Sequence, residues 1–197
     1  SLLPRWQGAA PIEHALLSGD KITGVSIFEI NESMDAGPII SKESIKIDNS
    51  INKEELTNKL NFIGAELLKK TLPIIYEKKI IYEFQNKNEI TYANKINAKM
   101  RKIDFNQNGK DVHNQIRAFS PYPSAWFLYK NQRIKIIKSN YIQGKWEKST
   151  ILNNQFHIGC YSGKICPEII QKEGAKSMSI NEFLKGFDFK VGDKIHD

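Results

Sequence analysis

Asp35 is the side chain in the first part of the chain best placed for chemistry, because it sits in the turn Met34-Asp35-Ala36-Gly37 between two strand-like runs. Rigid neighbours hold a loop carboxylate at a strand end, and such a group is suited to work on a proton. The plainer reading is that Asp35 caps its own loop by accepting from nearby backbone amides. A second dense stretch opens the chain, Ser1-Leu2-Leu3-Pro4-Arg5-Trp6-Gln7-Gly8-Ala9-Ala10-Pro11. Pro4 and Gly8 favour a turn there, and Pro11 presets φ for the start of a helix. Trp6 reads as a loop anchor. Cys160 and Cys166 stand with five residues between them and no histidine pair nearby. That fits neither a zinc spacing nor a disulfide framework, so both are expected to be core thiols in a reducing compartment. His14, His113, His157 and His196 are scattered; ordinary surface or core roles are expected for them, and no metal.

The elements that must hold these residues follow from periodicity. Ile12, Ala15 and Leu16 lie at helical spacing from Pro11 to Leu17, and Gly19 suits the helix end. Thr23 to Ile30 alternates as a strand with both faces partly covered, and Pro38 to Ile47 reads as another. Asn49 and Ser50 offer caps to a long helix whose stripe runs through Leu56, Leu60, Ile63, Leu67 and Ile75. Leu68 and Leu72 are expected to widen that stripe, with lysines and glutamates on the other face and a sheet beneath. Ile80 to Asn97 reads as an extended linker pinned by Ile81, Tyr82, Phe84 and Tyr92. Val112, Ile116 and Phe119 then make a short helix that ends before Pro121. Hairpins are expected at Lys130-Asn131, between strands 125–129 and 132–141, and at Ser162-Gly163, between strands 155–161 and 164–170. Ser179 with Glu182 signals a capped final helix. Several short strands with turns between them suggest a small barrel.

Charge separates the two halves. Residues 1–98 hold 12 basic and 13 acidic residues, whereas residues 99–197 hold 17 and 9, so the whole excess of +7 comes from the second half. Such asymmetry points that half at a polyanion, nucleic acid being the commonest, against a merely solvated lysine-rich surface. At 197 residues, 40% hydrophobic and 26% charged, the composition is that of a globular chain with one domain or two small ones. No apolar run approaches the roughly 20 residues that cross a bilayer, and no signal peptide is visible. A cytoplasmic protein that does not engage membranes is expected. The first half is short for a complete α/β domain, since its few strands leave one side of any sheet without neighbours; about another hundred residues upstream are expected.

Ser1 to Ile12, then Gly24-Val25-Ser26-Ile27, then Met34-Asp35-Ala36-Gly37 resemble the 10-formyltetrahydrofolate-dependent formyltransferases, and within them the members that act on initiator methionyl-tRNA. Ile116-Arg117-Ala118-Phe119-Ser120-Pro121-Tyr122-Pro123-Ser124-Ala125-Trp126 is similar to the start of that family's C-terminal domain. The resemblance runs through essentially the whole chain. It implies an α/β fold: the C-terminal part of a Rossmann-like catalytic domain in residues 1–79, a linker in 80–98, and a small OB-like, tRNA-binding barrel in 99–197. It implies Asp35 as a catalytic residue, acting with an Asn and a His that the family carries just before the Ser1 position. Ser1, Leu2, Leu3 and Pro4 match the folate-binding segment, although the two leucines also suit plain core packing. Arg133 and Lys135 on one strand face, and Lys99, Arg101 and Lys102 at the domain junction, are the expected tRNA contacts. The implied partners are folate and initiator methionyl-tRNA, with the protein acting as a monomer and these 197 residues inactive alone. The alternative is another N-formyltransferase of the same family, with a sugar or nucleotide substrate, which would not need so basic a second half. A non-enzymatic RNA-binding module would leave the first 37 residues without a purpose.

Overall fold

Strand-forming Thr23, Val25, Ile27 and Phe28 build β2 (Ile22–Phe28), which pairs antiparallel with β3 (Ile39–Lys46) from Ile22 opposite Lys46 to Phe28 opposite Ile39. In this computed structural model, which describes residues 1–195, the hairpin belongs to the first of two compact units, Ser1–Ala15 with Gly19–Ile96. The second unit comprises Leu16–Ser18 and the chain from Asn97 onward. His196 lies outside the described residues. Ahead of the hairpin come β1 (Gln7–Gly8) and α1 (Pro11–Leu17), and behind it α2 (Lys53–Tyr76) and β4 (Tyr92–Ala93). β1 and β4 pair in parallel as a second two-stranded sheet.

α2 lies on β2 and β3 through buried Leu56, Leu60, Leu67 and Thr71. Its cap is Asn52, not the expected Asn49 or Ser50: Asn52 Oδ1 accepts from the Glu55 amide, and Glu55 Oε2 accepts from the Asn52 amide, both at 3.0 Å. Ser50 is unavailable because its N–H and hydroxyl both donate to Asp48 Oδ1. Nor do Leu68 and Leu72 widen the stripe; both are exposed, and so are Phe62, Ile74 and Tyr76 on a helix expected to be polar on its outer side. The two strands beneath α2 among the described residues cover only a narrow stripe of it.

Residues 80–96 are not pinned by their large apolar side chains. Ile81 is 88% exposed and Phe84 80%, and Tyr82 and Tyr92 are exposed as well. Hydrogen bonds hold this segment instead, with Ile39 and Glu83 exchanging backbone bonds and the Ala93 carbonyl accepting from the Ala9 and Ala10 amides.

The second unit runs α3 (Gly109–Phe119), β5 (Ala125–Tyr129), β6 (Gln132–Ile142), β7 (Ile158–Gly159), β8 (Lys164–Lys172), β9 (Met178–Ser179) and α4 (Ile180–Leu184). The strands form one five-stranded sheet in the order β5-β6-β8-β7, with β9 added to β8. Lys130 and Asn131 both take φ near +50° to +60°, the mirror-type turn whose twist suits a two-residue hairpin. Irregular pairing at Ile136, Lys138 and Ser139 marks where β6 and the curled sheet bend. β7 is shorter than expected because Phe156 adopts φ +60°, which interrupts extended backbone and turns its ring inward. That ring packs edge-on against Tyr129, Phe183, Phe187 and Phe189, the aromatic centre of the unit. Cys160 and Cys166 are both buried and free, and burial pushes the Cys160 thiol up to about 12. Ser179 and Glu182 form the expected capping box on α4.

Candidate active site

The turn that carries Asp35 is fixed from three directions. Asp35 takes φ +54°, a left-handed conformation that aspartate tolerates better than most residues. Two positions on, Gly37 leaves no room for a side chain, since a Cβ there would meet the Glu29 carbonyl oxygen at 1.6 Å. Asp35 Oδ2 accepts from the Gly8 amide at 2.7 Å, across 27 residues of sequence. Asp35 therefore does not cap its own loop: its carboxylate ties the turn to β1. Gly8 suits the other end of that bond, with φ +119° and a site where a Cβ would press on the Ala93 carbonyl at 2.9 Å.

β1 is held in turn by the segment after α2. The Gln7 and Trp6 amides donate to the Thr91 carbonyl and Thr91 Oγ1, at 2.8 and 2.9 Å. Gln7, 2% exposed, donates through Nε2 to Gln85 Oε1 at 2.9 Å, and Gln85 Nε2 donates to the carbonyls of Asp35 and Gly37 at 2.8 and 2.7 Å.

Ser1, Leu2, Leu3 and Pro4 lie along β2. Ser26 Oγ accepts from the Leu3 amide and donates to the Ser1 carbonyl, both at 3.1 Å. Leu3 is buried, while Leu2 and Pro4 are half-buried and line, with Leu3, a cavity of about 640 Å³ bounded also by Arg5, Trp6, Ile22, Lys42 and Phe84. The opening stretch and the acidic turn are joined by the Gly8–Asp35 bond. Trp6 is the anchor expected of it: its indole donates to Asp20 Oδ2 at 2.7 Å, and the Arg5 guanidinium grips both oxygens of Asp20 and lies 4.3 Å from the indole ring. Burial weighs most on the Asp20 carboxyl and pushes upward, but the hydrogen bonds from Arg5 and Trp6 outweigh it and hold the group below its ordinary value. A second cavity of about 480 Å³ lies by Gln7, Ser33, Met34, Ala36 and Tyr92. Asp35 lines neither.

In the second unit three of the five basic residues named from sequence, Arg133, Lys135 and Lys102, neighbour Trp126. Trp126 stands opposite Lys135 in the β5–β6 register, and the Arg133 guanidinium lies 4.4 Å from its ring. Lys102 forms a parallel bridge with Trp126, and Arg101 donates to the nearby Pro123 carbonyl at 3.3 Å. Lys99 opens the single 3₁₀ turn Lys99–Arg101 that leads to them.

Two family models account for most of the chain, one described as formyl transferase over residues 1–72 and one as formyl transferase, C-terminal domain, over residues 95–188. The chain belongs to the formyl transferase family. The methionyl-tRNA formyltransferase of Brucella canis is 35% identical over 190 residues, a match that covers 94% of this chain and 62% of the relative. That of Rhizobium meliloti is 32% identical over 199 residues, covering 99% and 64%. The chain therefore spans a little under two thirds of the length of these relatives. Among solved structures, the N-formyltransferase from Helicobacter canadensis, in complex with folinic acid and dTDP-3-aminofucose, superposes with a TM-score of 0.72 at 25% identity, covering 87% of this chain and 64% of that one.

Sequence reasoning missed the two glutamines that brace the Asp35 turn. Gln7 carried a signal, lying between two turn-forming residues of the opening stretch. Gln85 carried none, because nothing local to an Asn- and Lys-rich segment foretells a partner 48 to 50 residues away.

Proposed function

We propose that the protein transfers the formyl group of 10-formyltetrahydrofolate to the amino group of initiator methionyl-tRNA, in the cytoplasm and as a monomer. The observation that carries this reading is the 35% identity to a methionyl-tRNA formyltransferase over 94% of the chain. The bracing of Asp35 against the Ser1–Gly8 stretch supports it. The reaction needs a neutral attacking amine, a donor for the tetrahedral oxyanion and a proton for the departing folate nitrogen. Asp35 serves the proton transfers. With Oδ2 held by the Gly8 amide, Oδ1 would hold the family's histidine and favour its charged form, or take a proton through a water. The folate supplies the formyl carbon, and the half-buried Leu2 and Pro4, with the backbone of Ser1 and Leu3, supply a flat, mostly apolar wall suited to its ring.

The first unit is then the C-terminal part of a Rossmann-like domain, residues 80–98 are the linker, and the curled sheet from residue 99 is an OB-like barrel that grips tRNA. Arg133, Lys135 and Lys102 beside Trp126, together with Lys99 and Arg101, make the phosphate contacts. A sugar N-formyltransferase is the second reading, favoured by the TM-score of 0.72 to the Helicobacter canadensis enzyme. One assay separates them. The full-length protein, given 10-formyltetrahydrofolate and equal amounts of methionyl-tRNA and a dTDP-amino sugar, should formylate the tRNA, and the 197-residue chain should formylate neither. Formylated sugar as the sole product would overturn the first reading in favour of the second.

A further inference from the structure

We infer that Gln85 is the positioning residue of the Asp35 turn, an inference that rests on Asp35 taking part in the reaction. Its carboxamide is fully committed. One N–H goes to the Asp35 carbonyl at 2.8 Å, the other to the Gly37 carbonyl at 2.7 Å, and the oxygen accepts from Gln7 at 2.9 Å. The orientation is therefore determined: turning the amide over would set its oxygen against two carbonyl oxygens and its NH₂ against the Gln7 NH₂. Gln7 cannot yield easily, being 2% exposed and held through its own amide by the Thr91 carbonyl.

The result is a closed ring. It runs from Gln85 to the Asp35 backbone, through the Asp35 side chain to the Gly8 amide, back one residue to Gln7, and from the Gln7 side chain to Gln85. Each link fixes a different part of Asp35. Gln85 sets the carbonyl side of a residue at φ +54°, and Gly8 sets the carboxylate. Without Gln85 the two carbonyls turn to water, the left-handed residue relaxes, and the carboxylate swings on the Gly8 bond alone. A displacement near 1 Å in such a group costs on the order of 10² in rate. The segment that bears Gln85 thus does more than connect. It carries the brace of the acidic turn.

The test uses the full-length protein with Gln85→Ala, the near-isosteric Gln85→Glu, Asp35→Ala, and Asp35→Ala combined with Gln85→Ala, followed by single-turnover formylation and by thermal melting. Gln85→Ala should lower kcat by on the order of 10 to 10² with less than about threefold change in KM for methionyl-tRNA. Gln85→Glu should do likewise near neutral pH, because it keeps the volume but replaces both donors by acceptors. In the Asp35→Ala background the second change should cost nothing more, since the brace then holds nothing that reacts. A residue that served stability alone would instead give additive losses that track the melting temperature. If Gln85→Ala does not fold, Gln85→Glu carries the same comparison. Wild-type kcat in both Gln85 variants, beside an inactive Asp35→Ala, overturns the inference and leaves the role of Asp35 standing; an active Asp35→Ala overturns both.

Discussion

The two units keep their apolar residues in different ways. The second closes an aromatic centre around Phe156 and leaves Tyr122, Ile142, Tyr161 and Val191 as its exposed large hydrophobics among the described residues. The first exposes Ile22, Ile30, Met34 and Phe84 around its site and Phe62, Leu72 and Tyr76 along α2. Its strands pair only two at a time, and a two-stranded hairpin is marginal by itself. The second unit has the means to be self-supporting. The first buries Leu3, Ile39, Leu56, Leu60 and Leu67 and adds polar ties of long sequence reach, from Asp35 to Gly8, Gln85 to Asp35 and Trp6 to Thr91. Ties of that kind give position more than stability, because a hydrogen bond contributes roughly 1 kcal/mol net but fixes geometry.

The strongest way to break this contrast is at Asp35. In the full-length protein Asp35→Ala should cost on the order of 10² to 10⁴ in formylation rate, the range for a positioned acid-base group. A loss under threefold with folate binding intact would make Asp35 only a tie to β1. Next comes Phe156→Ala, expected to destabilise the second unit by about 3 to 5 kcal/mol in chemical denaturation. In the 197-residue chain, Phe62→Ala on exposed α2 should change stability by less than about 0.5 kcal/mol. Equal effects would erase the distinction between the units.

A smaller effect is expected on the basic face. Charge reversal of Arg133 and Lys135 together should lower tRNA affinity and reduce the slope of log affinity against log salt by roughly 0.7 to 0.9 for each phosphate no longer neutralised. A slope unchanged from wild type would move the search to Lys99, Arg101 and Lys102. A modest change is expected at the α2 cap, where Asn52→Ala should cost about 1 kcal/mol. Asn49→Ala, just outside the helix, should cost clearly less in the same melt.

Local signals were legible wherever the deciding interaction spans a few residues. The hairpin at Lys130-Asn131, the capping box at Ser179 and Glu182, and the helix from Pro11 all show in the sequence, because a turn, a cap and a helix start are made by neighbours. Asn52 was missed by two to three residues for the same reason turned round: Asp48 competes locally for Ser50. The width of the α2 stripe was not legible, since how much of an apolar face is covered depends on how many strands lie beneath it. The expectation that Ile81, Tyr82, Phe84 and Tyr92 pin their segment failed on the same ground.

By itself the sequence determined the family, through the opening stretch, the Asp35 turn and the block from Ile116 to Trp126. It determined the charge split too, because residue types are independent of the fold. Only the tertiary structure decided what Asp35 bonds to, and that Gln7 and Gln85 brace it. Those interactions join residues tens of positions apart, and a backbone N–H or carbonyl looks the same in every sequence until the fold brings its partner within 3 Å.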